Sequence, residues 1–157
     1  MANQALEQAG LQGIEKVWVH GPGNNIIPVL SIKQKYLGHA KEVATAAAVL
    51  YRSRACAGRY VIVVDDDIDP SNLEEVIWAV TTRCDPEEGL DLVKGLLTTP
   101  LDPMLRPEKR EKGDFTASKV IINACRPYHW MDKFPEVNIS STELRTKVLS
   151  KWSHLFK

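Results

Sequence analysis

Apolar residues along the chain fall into two kinds of run. Short continuous ones at residues 17–20, 26–32, 60–64 and 119–122 have the length and the β-branched content of strands. The run at 60–64, YVIVV, does not alternate with polar residues, which marks a strand covered on both faces, as parallel sheets require. Helical spacing appears at 39–51, where Ala40, Val43, Ala44, Ala47, Leu50 and Tyr51 share one face between Gly38 and Gly58. A second helix follows the 60–64 strand with Leu73, Val76, Ile77 and Val80 as its buried stripe. Either Asp69 caps it with Pro70 at the first position, or Ser71 and Glu74 form a capping box one register later. The tail repeats the spacing at Leu144, Val148, Leu149, Trp152 and Leu155, with Ser140 and Glu143 as its capping box.

Turn chemistry separates these runs. GPGNN, residues 21–25, joins the first two strands, and the stretch from Arg83 to Gly113 carries Pro86, Pro100, Pro103 and Pro107 and reads as loop-rich. Residues 1–13 are a lead-in with few large apolar groups, either a short helix or a loose segment. Strands alternating with helices and no internal repeat define an α/β class. The expectation is a single layered domain over 14–157, a mostly parallel sheet flanked by helices, and a C-terminal amphipathic helix.

Composition narrows the function classes. Twenty basic residues balance twenty acidic ones, so no overall field attracts nucleic acid or an anionic membrane, and neither partner is expected. Cys56, Cys84 and Cys125 are odd in number and lack a CxxC spacing, which argues against a disulfide framework and a structural zinc site. The start MANQALEQAG has no secretory pattern and no run reaches about 18 apolar residues, so a cytoplasmic chain is expected.

Several residues could carry chemistry. Asp65, Asp66, Asp67 and Asp69 lie where open α/β sheets place ligands, beyond the carboxyl end of a strand, and could hold a divalent cation or a ribose. The competing reading is a strand end with solvated carboxylates leading into a capped helix. There is no DxDxDG calcium loop, no GxxxxGK[ST], no GxGxxG and no HExxH. Arg52, Arg54 and Arg59 suit phosphate oxygens, but they also complement the negative end of the preceding helix. Trp78 and Trp152 read as core residues in helical stripes.

Three blocks taken in order are more specific: LSIKQKYLGHAKE, RYVIVVDDDIDPSNLEEVIWAVTTRCDPEEGLDLVKGLLTTPLDP and INACRPYHWMDKFP. From Ile14 to Trp152 the chain resembles the C-terminal portion of UbiD-family decarboxylases, nearest the ferulic acid and phenolic acid decarboxylase branch. The resemblance implies a non-oxidative decarboxylation of aromatic or α,β-unsaturated acids using prenylated FMN, with manganese at the cofactor phosphate and potassium nearby. It also implies that the family's Glu-Arg-Glu network and flavin domain lie outside this chain, so none of these cofactors is expected to bind it tightly alone. Arg83 in the TRC motif matches an arginine of the potassium site, acting through its carbonyl. Thr99 in TTPLDP matches a substrate-pocket loop, and Arg54 or Arg52 is nearest a cofactor-contacting basic residue. Leu37 stands where the family usually has proline. A homodimer, or association with a flavin-binding domain or full-length homologue, is the expected assembly. The rival readings are a non-catalytic dimerisation module and an independent nucleotide-binding α/β protein, which would lack the usual glycine fingerprint.

Overall fold

The computed structural model describes residues 6, 8–21, 26–52, 57–137 and 142–155. Five strands form one mixed sheet: β1 (Ile14–Val19), β2 (Pro28–Ile32), β3 (Tyr60–Asp65), β4 (Leu90–Leu97) and β5 (Thr116–Ala124), in the order β1-β2-β3-β5-β4. The three central strands run parallel, and β1 and β4 close the edges antiparallel. Helix α1 (His39–Leu50) covers one face and α2 (Leu73–Arg83) the other. The short helices α3 (Pro86–Gly89) and α4 (Pro107–Glu111) flank β4, and α5 (Thr142–Trp152) leads into a final 3-10 turn, Ser153–Leu155.

The unalternating run in β3 has the cause its pattern implied. Val61 and Val63 point into the core under α1, while Ile62 and Val64 point into the core under α2. Helix α1 brings Ala40, Ala44, Ala47 and Ala48 against the strands, and these small side chains let the helix lie close to the sheet. Gly38 precedes it at φ 89°, a left-handed turn that glycine adopts without steric cost.

Four expectations change. Asn72, not Asp69 or Ser71, caps α2 by accepting from the Glu74 amide, while Asp69 closes its own turn with the Ser71 amide and hydroxyl. An asparagine beside two other capping types competes for the same role, and the backbone register selects it. Of the expected α2 stripe, Val76 is buried and Val80 packs against the same core, while Leu73 and Ile77 face outward with Trp78; Ala79 and Arg83 complete the buried face, the arginine taking a core position that apolar patterning does not assign to it. The stretch read as loop contains β4, whose outward Leu90, Leu92 and Leu97 leave it an exposed edge. Helix α5 makes no buried stripe: Leu144, Val148, Leu149 and Trp152 are all exposed. The capping box proposed at Ser140 and the side chain of Leu155 lie outside the described residues.

Candidate functional site

Asp65 is the last residue of β3, and its side chain is 2% exposed. Its Oδ2 accepts from the Arg126 amide at 2.7 Å, Arg126 Nε at 3.1 Å and Arg83 Nη1 at 3.1 Å. Its Oδ1 accepts from Gln34 Nε2 at 2.8 Å. Arg83, the last residue of α2, also grips Asp67 with both prongs of its fork at 2.7 and 2.8 Å, and the Trp78 ring lies 5.1 Å from its guanidinium carbon. One buried carboxylate thus ties together the ends of β3 and β5, the segment after β2, and α2. Two arginines balance two aspartates, and both Asp65 oxygens are occupied, so these aspartates form an ion-pair network rather than a cation cage. Asp66 and Asp69 remain exposed.

The electrostatics follow from these contacts. The Arg83 hydrogen bond, opposed by partial burial, holds the Asp67 carboxyl below its usual range. Burial pulls the Arg83 guanidinium down, but Asp67 and Asp65 outweigh it and leave the pKa raised. Burial pushes the Cys125 thiol well up, with Asp65 adding to the effect, and burial also raises Cys84. Both stay protonated near neutrality, which removes the thiolate that a cysteine nucleophile needs. A carboxyl with a lowered folded pKa stabilises above its unfolded pKa and loses that contribution as pH falls through the folded one. An Asp67→Asn variant should therefore melt below the parent at pH 7, by up to about 1 kcal/mol given its exposure. The difference should begin to shrink near pH 4, the ordinary carboxyl value, and vanish only as pH falls through the lowered folded value. A pH series of melting curves checks this.

A cleft of about 220 Å³ opens beside the network, lined by Gln34, Lys41, Arg83, Asp85, Arg126 and His129 among others. Gly89 borders it because a Cβ there would meet Cys84 Sγ at 2.6 Å and the Asn123 carbonyl at 3.1 Å. Arg83 Nε is buried beside the cleft without a hydrogen-bond partner.

Thr99 sits at the other end of the sheet. β4 runs antiparallel to β5, so its end at Leu97 pairs with Thr116, the start of β5. Roughly 16 Å of strand separates the two ends of β3. Thr99 is buried, its hydroxyl accepting from the Leu101 amide at 3.3 Å. The buried Asp102 anchors this turn by pairing with Arg59 and accepting from the Thr98 hydroxyl and the Met104 amide. Arg52 is exposed just after α1, at this same end by chain order, and Arg54 lies outside the described residues. The structure therefore separates Arg83 from Thr99 and Arg52.

Gln34, Arg126, Asp102 and Lys119 were not singled out from the sequence. Lys119 carried a readable signal: alternation along β5 puts it on the same face as the buried Ile121. Its ammonium donates to the Ala48 carbonyl at 2.8 Å and the Tyr51 carbonyl at 2.5 Å, at the end of α1. The negative end of that helix is thus met by a buried lysine from the sheet. His39 is a structural histidine: Nδ1 accepts from the Lys35 amide, so Nε2 carries the proton donated to the Gln12 carbonyl at 2.8 Å.

The layered α/β fold is that of a carboxy-lyase C-terminal domain. Residues 1–124 match the 3-octaprenyl-4-hydroxybenzoate carboxy-lyase C-terminal domain. The chain is 33% identical over 131 residues to a phenolic acid decarboxylase of Sedimentibacter hydroxybenzoicus, covering 83% of this chain and 24% of that protein. Its fold superposes on the UbiD-class enzyme HmfF from Pelotomaculum thermopropionicum, in complex with FMN, with a TM-score of 0.76 and 29% identity. That match covers 96% of this chain and 31% of HmfF. An evolved dimeric form of HmfF in complex with prFMN gives a TM-score of 0.65 at 25% identity, over 96% of this chain and 28% of that one. The chain belongs to the UbiD family as its C-terminal domain, and it spans about a quarter of the length of the phenolic acid decarboxylases it matches.

Proposed function

We propose that this chain acts as the C-terminal domain of a prenylated-FMN-dependent decarboxylase that removes carbon dioxide from aromatic or α,β-unsaturated acids without net redox change. The observation that carries this reading is its 33% identity to a phenolic acid decarboxylase. When bound, the flavin supplies the carbanion chemistry. The domain's own part is to contribute to the cofactor and substrate region from both ends of its sheet, with Arg83 at one and Thr99 and Arg52 at the other.

The family resemblance puts the manganese ligands outside this domain; among the described residues no group of three or more His, Cys, Asp or Glu side chains comes together. The Arg83 carbonyl is the donor this domain offers a potassium ion. Both Nη atoms of that guanidinium are engaged by carboxylates, whereas the carbonyls of a final helical turn lack intrahelical partners and carry the negative end of the dipole. Arg52, exposed after α1, is the described candidate for reaching the cofactor, with Arg54 beside it in sequence. Thr99 shapes the pocket wall through the rigid turn it shares with Asp102. The assembly works in the cytoplasm as a homodimer or joined to a flavin-binding domain.

A second reading is a non-catalytic interaction module, favoured by the exposed Leu144, Val148, Leu149 and Trp152 on α5. One experiment addresses both. The isolated chain, supplied with prenylated FMN, should not decarboxylate cinnamic or hydroxybenzoic acids, because the family's catalytic network has no counterpart in it. Added to a flavin-binding partner lacking its own C-terminal domain, it should restore turnover. Appreciable activity alone would refute the division of labour, and co-elution with a full-length relative without any gain in activity would favour the module.

A further inference from the structure

A second cleft, of about 680 Å³, lies over the start of β3 and the β4–β5 edge, within the size range of small-ligand sites. No acidic residue lines it, whereas Arg59, Lys94, Arg106 and Lys109 all do. Two of these charges are already spent: Arg59 pairs with the buried Asp102, and Lys109 with Asp114 and the Thr116 oxygens. Lys94 and Arg106 have no side-chain partner among the described residues, and neither do the hydroxyls of Ser118 and Tyr60. The Tyr60 ring, 42% exposed, and Leu105 supply an apolar wall.

We propose that this cleft binds a small phosphomonoester, its phosphate between Lys94 and Arg106 and its apolar body on Tyr60. Two unneutralised cations match the double negative charge of a phosphate. A guanidinium fork, an ammonium and two hydroxyls offer more donors than a carboxylate's two oxygens can use. The rest of the cleft is already held in place, because the Arg59–Asp102 pair and the Lys109 contacts fix the walls before any ligand arrives. This goes beyond the decarboxylase reading, and its test does not depend on turnover.

The test is an NMR titration of the chain at constant ionic strength with inorganic phosphate, phenyl phosphate, phenol and a short acidic peptide. Phenyl phosphate should saturate, bind several-fold tighter than inorganic phosphate, and shift amides of β3, β4 and β5 that line the cleft. Lys94→Ala and Arg106→Ala should each weaken it roughly tenfold, as expected for loss of one charge-assisted hydrogen bond. Lys41→Ala removes the same unit of charge from outside this cleft and should change nothing. Both tested side chains are exposed, so the variants should fold like the parent. Tyr60→Ser should erase the advantage of phenyl phosphate over phosphate. Equal weakening by Lys41→Ala, absence of saturation, or tighter binding of phenol alone would overturn the proposal. So would preferential binding of an acidic peptide, which would make the occupant a protein segment.

Discussion

Replacing Asp65 by alanine should destabilise the domain by about 3–5 kcal/mol, the usual cost of removing one partner from a buried ion pair. The carboxylate is 2% exposed and receives four hydrogen bonds, two from Arg126, one from Arg83 and one from Gln34. Without it the Arg83 side chain, itself fully buried, keeps only the half-exposed Asp67 as counter-ion. For a domain of this size each kcal/mol moves the melting temperature by roughly 2–4 °C, so a drop of about 6–20 °C is expected. Asp65→Asn keeps the shape and one acceptor and should cost less. The double change with Arg83→Met should lose less than the two single losses combined, because removing both charges leaves no buried ion alone. An Asp65→Ala protein melting within a few degrees of the parent would show that Asp67 alone can hold Arg83. The same variant should loosen the junction between β3, β5 and α2, and hence the position of the Arg83 carbonyl.

What the sequence made legible follows from what each signal measures. Hydrophobic period reports burial, so β3 and α1, whose apolar residues truly face the core, could be read almost residue by residue. The same reasoning found Val76 and Val80 of the α2 stripe but left out Arg83, which occupies a core position only by virtue of Asp65 and Asp67, which no periodicity count includes. Residues 90–97 hid as a loop: proline-rich flanks outweighed an edge strand whose Leu90, Leu92 and Leu97 face solvent. Trp78 and Trp152 sit in helical stripes yet are 37% and 42% exposed, since helical spacing defines a face without saying what covers it. Asp65, Asp66, Asp67 and Asp69 could be located but not interpreted. The ion-pair role of Asp65 and Asp67 draws on Arg126, 61 residues from Asp65, and such pairings exist only in the fold. For the same reason Arg83 and Thr99, 16 positions apart in sequence and linked only through the family resemblance, turn out to occupy opposite ends of the sheet.

Lys119→Met should cost on the order of 3 kcal/mol, although the substitution swaps one long unbranched side chain for another. The methionine keeps the stem's packing beside Ile121 in β5, but it withdraws an ammonium that is 1% exposed and bonded to the carbonyls of Ala48 and Tyr51. Those oxygens belong to the end of α1, where the last turn has no further amides to receive and the helix dipole concentrates negative charge. The Tyr51 amide already donates to Ala47, so it does not take the lysine's place at Ala48. The buried Ala48 carbonyl would then lose the lysine's hydrogen bond, and the Tyr51 carbonyl would lose the same donor. Hydrogen exchange should quicken first at the C-terminal turn of α1 and along β5, ahead of any change around Asp65 at the far end of the sheet. Lys119→Arg, which retains a cation but needs more room, should fall between the two proteins in stability. If Lys119→Met melted with the parent and left α1 protected, the lysine would be a passenger in the core and the end of α1 would owe its order to packing alone.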